Sequence, residues 1–179
     1  MRIRYSVAAG AAMVVAVAGV ASAAPGDTTV TFSVSGGSLA ISVPGPAGLG
    51  SGSPGSSVSG QLGSVTATDT RALLAAAWTA SVTSTSFTTG GATSAETVPT
   101  SAISYWSGTA SPTPTGVGTF TPGQATSSQA QTLDSSRTAY SLSAGTGNNT
   151  ATWNPTLVVA IPAGAVNGIY TGTVTHSIS

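Results

Sequence analysis

Apolar and hydroxylated side chains alternate with a period of two over much of this chain, most regularly near its C-terminus. Tyr170, Val174, His176 and Ile178 fall on one parity, and Thr171, Thr173, Thr175 and Ser177 on the other. Successive side chains of a strand point to opposite faces, so one greasy and one hydroxylated parity predicts a half-buried β-strand. The preceding run from Trp153 to Pro162 is β-branched and aliphatic and ends at a proline. Between the two, residues 163–168 end in Asn167-Gly168, a pair that tolerates the positive φ of a hairpin turn. The pattern predicts two adjacent strands, an antiparallel pair, closing the protein, with the remainder packed around them.

The same reading extends upstream. Val30, Phe32 and Val34 alternate with threonine and serine, Gly36-Gly37 offers a tight turn, and Leu39, Ile41 and Val43 alternate again, which predicts a hairpin over residues 27–43. Residues 44–60, rich in Gly, Pro and Ser, read as a surface loop. Val65 and Ala67 then lead into Asp69-Thr70-Arg71, and Trp78, Ala80 and Val82 alternate with Thr79, Ser81 and Thr83. The intervening residues 72–77 have helical propensity but are too few to nucleate a helix, so a turn or bulged connection is expected. Residues 103–106, 118–121 and 137–143 are further strand candidates, and residues 145–149 are expected to turn. Roughly eight to ten short strands with frequent turn signals predict an all-β fold, an immunoglobulin-like or Greek-key β-sandwich.

The first residues stand outside that pattern. Arg2 and Arg4 precede an apolar stretch over residues 7–20, and Ala21-Ser22-Ala23 fits the small-x-small site of a signal peptidase. The stretch is shorter than the ~20 apolar residues that span a membrane. Residues 1–23 are therefore expected to be a signal peptide, leaving residues 24–179 as a single exported domain. Composition narrows its partners. There is no cysteine, which excludes disulfides and thiolate metal sites and suits a bacterial exported protein. After the leader only Arg71 and Arg137 face Asp27, Asp69, Glu96 and Asp134, with no lysine. Such a surface cannot neutralise phosphates, so nucleic acid and anionic lipid are excluded as partners and no membrane insertion follows cleavage. The sequence stops at Ser179 without a hydrophobic tail, and no cysteine is available for a lipid, so no covalent anchor is expected. Retention at the cell surface would be non-covalent.

Candidate chemistry is sparse. Trp78 and Trp153 lie inside alternating runs, where a large aromatic fills the space between sheets. Tyr105 and Trp106 are neighbours on one predicted strand, so one faces outward, where a ring could stack on a sugar. His176, the only histidine, shares a face with Val174 and Ile178 and has no second ligand at metal spacing. It reads as a partly buried residue near a sheet end. Asp69, Glu96 and Asp134 could pair as glycosidase carboxylates, but Arg71 two residues from Asp69 explains that one as an ion pair or turn contact. No Gly-x-Ser-x-Gly elbow is present. The expectation is a protein that is not an enzyme and takes no cofactor or metal. Asn148-Asn149-Thr150 matches a glycosylation sequon, without weight in a bacterial export context.

Two stretches carry a family resemblance. Residues 63–71, Gly-Ser-Val-Thr-Ala-Thr-Asp-Thr-Arg, are followed by Trp78-Thr79-Ala80, and Ile161-Pro162-Ala163-Gly164 precedes the run from Gly168 to Thr175. Together they resemble the WxL-domain proteins of Gram-positive cell surfaces, in a divergent branch from a high-GC, actinobacterial source. Ala80 stands where that family's first leucine would be, and His176 where its second tryptophan would be. The resemblance implies non-covalent attachment to peptidoglycan, with Trp78, Ala80, Tyr105, Trp106, Trp153, Tyr170 and His176 as candidate motif or wall-binding residues. The partner is then cell-wall glycan or another surface protein. Alternatives are a soluble carbohydrate-binding or hydrolytic module acting on wall glycan, or a subunit of a surface assembly.

Overall fold

A computed structural model describes residues 28–179; the leader expected over residues 1–23 lies outside them. Val34–Ser179 form one compact unit. Its strands are β1 (Leu39–Ser42), β2 (Ser57–Gln61), β3 (Val65–Ser84), β4 (Phe87–Thr88), β5 (Thr97–Val98), β6 (Ile103–Trp106), β7 (Thr115–Pro122), β8 (Gln131–Thr132), β9 (Arg137–Trp153), β10 (Thr156–Ala160) and β11 (Val174–Ile178). The fold is an all-β sandwich. One antiparallel sheet runs β1-β3-β9-β7, with β11 also paired to β3, and the second runs β2-β10-β6-β8. A small third sheet pairs β4 with β5. The core lies between the two large sheets, with Val65, Trp78 and Trp153 contributed by the first and Ile103, Tyr105 and Leu157 by the second.

Two strands are much longer than the sequence predicts, β3 with 20 residues and β9 with 17. A long strand with a strict period of two would present a single parity to the core, and these do not. Val65, Ala67 and Asp69 of β3 are buried on odd positions, whereas Ala76, Trp78, Ala80 and Val82 are buried on even ones. The bulged pairing between Asp69 and Trp78 makes the switch, since an extra residue in one strand flips every side chain beyond it. Ala72 takes a left-handed φ of 55° there. Residues 72–77 are thus the expected bulged connection, inside one continuous strand. Facing them, β9 changes parity between Leu142 and Asn149. The turn expected over residues 145–149 is instead part of this bulged strand, because β3 supplies hydrogen-bond partners along its length. Gly145 lets the two backbones close up: a Cβ there would lie 2.9 Å from the Ala76 carbonyl oxygen.

Two predicted hairpins do not form. The strands expected to close the chain as a pair lie in different sheets, β10 against β2 and β6, β11 against β3. Residues 161–173 therefore cross from one sheet to the other, and the strand expected from Tyr170 begins only at Val174. Alternation specifies which face of a strand is apolar but not which neighbour it pairs with. The same limit applies to residues 27–43. β1 pairs with β3 rather than with the segment before it, and residues 28–38 carry no strand. Gly36 and Gly37 pack on the backbone of Arg71 and the side chain of Thr70, where a Cβ would collide. Val30 and Phe32 remain 81% and 88% exposed.

Candidate binding groove

A cavity of about 1050 Å³ opens on the domain, at the upper end of the range for ligand sites. Sheet residues supply its floor: Val58 from β2, Leu157 and Val159 from β10, Val174 and His176 from β11. These are the inward parities of their strands; the other faces of β2 and β11 carry mostly hydroxyls, and that of β10 carries Thr156, Val158 and Ala160. The 43–52 loop and the 161–173 crossover form the rims. The crossover is tied down by the Tyr170 hydroxyl, which donates to the carbonyls of Ala95 (3.1 Å) and Val166 (3.0 Å). Reciprocal backbone bonds between Thr88 and Thr171 add to this, and Phe87 occupies the space a Cβ at Gly172 would need.

Among the described residues no Asp, Glu, Lys or Arg lines the groove, and His176 is its one histidine. Its Nε2 lies 3.1 Å from the Tyr105 hydroxyl oxygen, which also accepts from Trp153 Nε1–H at 3.4 Å. The buried Tyr105 hydroxyl hydrogen needs an acceptor, and His176 Nε2 is the one that the described residues bring to it, so the imidazole is neutral with Nε2 unprotonated. Burial holds the His176 pKa down to about 4 and pushes the Tyr105 hydroxyl up. The relay is a neutral, satisfied network at the back of an apolar groove.

The sequence-predicted residues divide accordingly. Trp78, Ala80, Tyr105 and Trp153 are buried and cannot stack on a ligand. Trp153 stacks on Tyr140 with centroids 5.0 Å apart, and Trp78 meets Phe120 edge-on at 6.3 Å, the arrangement expected of core aromatics. Trp106 and Tyr170 are half-buried. Trp106 faces away from Tyr105 on β6, as neighbours on a strand must. Only Tyr170 and His176 of the predicted set line the groove. Val58, Ile161 and the 43–52 loop were not singled out by sequence, since an aliphatic position in a strand carries no chemical signature.

The carboxylates are engaged elsewhere. Asp69, fully buried, takes both a 2.9 Å bond from Arg71 Nε and one of 2.9 Å from its terminal nitrogen, and a 3.4 Å bond from Asn149. Asn149 in turn accepts from Trp78 Nε1–H at 2.8 Å. The Arg71 hydrogen bonds hold the Asp69 carboxyl below the usual carboxylate range, against the opposing effect of burial. This cluster locks the bulge of β3 to β9. Glu96 bonds to Thr93 at a 3₁₀ turn, and Asp134 pairs with Arg137 at 2.6 Å. Among the described residues no three His, Cys, Asp or Glu side chains gather as a metal site. No family model matches this chain, and comparisons with curated proteins and with solved structures give no match either.

Proposed function

We propose that this chain is an exported, non-catalytic interaction module of the cell surface, and that its groove holds an extended apolar stretch of a partner protein. The observation that carries the reading is the groove itself, about 1050 Å³ with an aliphatic floor of Val58, Leu157, Val159 and Val174, backed by a neutral relay. A sugar site would use exposed rings with charged or amide groups around them, whereas the motif tryptophans here fill the core. An aliphatic trough beside sheet edges suits a polypeptide that adds main-chain hydrogen bonds at an edge and side chains in pockets. The resemblance to WxL-domain proteins supports the surface location and suggests a neighbouring surface protein as the partner.

Sedimentation with cell walls tests this. The mature protein is expected to bind walls that retain their proteins, to resist elution by ~1 M salt because few ions are involved, and to lose binding on Val58→Asp. Binding to protein-stripped peptidoglycan, abolished by Trp106→Ala, would contradict it and favour the glycan reading.

A further inference from the structure

Among the described residues, the stretch before β1 exposes large apolar side chains in the pattern the groove calls for. Val30, Phe32 and Val34 are 81%, 88% and 77% exposed, alternate with Thr29, Thr31, Ser33 and Ser35, and the stretch bears no charge. A soluble protein seldom leaves three large apolar residues on one strand-like parity uncovered, and such patches mark interaction sites.

The acceptor is incomplete in a matching way. β2 is the end strand of its sheet, with Val58 and Gly60 turned inward and Ser57, Ser59 and Gln61 outward. Among the described residues, no backbone hydrogen bond joins the 43–52 loop to β2, so its outer edge is open. That loop is a poor cover. A Cβ added at Gly45, Gly48 or Gly50 would touch nothing, and the loop meets β2 at two points, Leu49 against Gly60 and Gly52 against Val58. β2 (Ser57–Gln61) and Val30–Val34 are each five residues, about 17 Å at about 3.3 Å per residue. Length, parity and absence of charge agree between segment and groove.

We infer that residues 28–35 of one copy add a strand to the open edge of β2 in the next copy, with Val30, Phe32 and Val34 seated in its groove. This rests on the proposed binding of an extended apolar segment and names that segment. Donor and acceptor are different surfaces of the chain, so the contact is head-to-tail and propagates into open chains rather than closing as a symmetric dimer. Leu49 is the side chain the incoming strand displaces.

The test uses the mature chain and two single variants. Wild type is expected to form concentration-dependent oligomers by light scattering. Phe32→Asp, a damaged donor, and Val58→Asp, a damaged acceptor, are each expected to stay monomeric, and their mixture to give a one-to-one dimer and nothing larger. Circular dichroism matching wild type checks that Val58→Asp is folded. Should it not be, a synthetic peptide of residues 28–35 takes its place and is expected to bind the Phe32→Asp protein. Monomeric wild type, undiminished assembly of Phe32→Asp, or failure of that peptide to bind would overturn the inference. An unrelated alternating Val/Thr peptide, added in parallel, tells the two readings apart. If it binds where the chain's own peptide does not, the groove reading stands and this inference falls; if neither binds, both fall.

Discussion

Asp69, fully buried, and His176, half-buried at the back of the groove, have opposite electrostatic roles. Asp69 is charged and enclosed, and its charge is met by the two guanidinium bonds of Arg71. Removing one partner of a buried pair leaves an uncompensated charge, a loss of about 3–5 kcal/mol. Arg71→Ala is therefore expected to lower stability by that order in urea unfolding, and Asp69→Ala combined with it to recover part of the loss. His176 is neutral. Its pKa is about 4 in the folded protein against 6.5 ordinarily, so between those values the unfolded state binds more protons and stability falls as pH falls. The contribution is complete above pH 6.5 and lost on acidification towards 4. The shift alone corresponds to roughly 3 kcal/mol, which partial exposure reduces to about 2 kcal/mol. Protonation also removes the acceptor of the buried Tyr105 hydroxyl. Denaturant midpoints measured across that window should show the full drop in wild type and a shallower one in His176→Gln, where only the carboxylates contribute near its acid end. Acid loss from Asp69 sets in as pH falls through the ordinary carboxylate range, where the unfolded state takes up its proton, and continues down to the lowered folded pKa.

At the level of elements, the paired bulges of β3 and β9 decide whether both halves of each strand face the core. Gly145 is a point of close approach between them, with Leu142 Cδ2 at 2.8 Å and the Ala76 carbonyl oxygen at 2.9 Å from where a Cβ would sit. Gly145→Ala is expected to cost about 1–3 kcal/mol by overpacking, read as a lower urea midpoint with an unchanged slope. Leu74→Ser, 85% exposed on the same bulge, should leave stability within about 0.5 kcal/mol. These elements also mark how far the sequence reaches. Alternation identified the strand cores around Val65, Trp78, Tyr105, Leu142 and Val174, and the Asp69–Arg71 pair was legible from spacing. The bulged middle of β9 read as a turn because Gly145, Gly147 and Asn148 favour turns locally, and only the facing β3 makes that stretch a strand. Partner choice was likewise hidden: nothing in the run 153–178 says that its halves belong to different sheets. The groove was invisible for the same reason, being a property of which edges end up without a neighbour.

The unit Val34–Ser179 is a sandwich in which the side beyond β2 is lined by the glycine- and proline-rich 43–52 loop instead of a strand. Burying a single Val or Phe side chain contributes about 1.5–3 kcal/mol, so an added strand carrying Val30, Phe32 and Val34 would stabilise the domain it enters. Phe32→Asp in the mature chain is expected to lower the thermal midpoint of concentrated protein while leaving that of dilute protein unchanged, because only assembled copies carry the extra strand. The most direct measurement follows the amides of β2. On adding a free peptide of residues 28–35 to the Phe32→Asp protein, hydrogen exchange at Ser57–Gln61 should slow, with the edge-facing amides most affected. Unchanged exchange in β2 while the peptide is bound, or protection confined to another edge such as β7, would contradict strand addition in the groove.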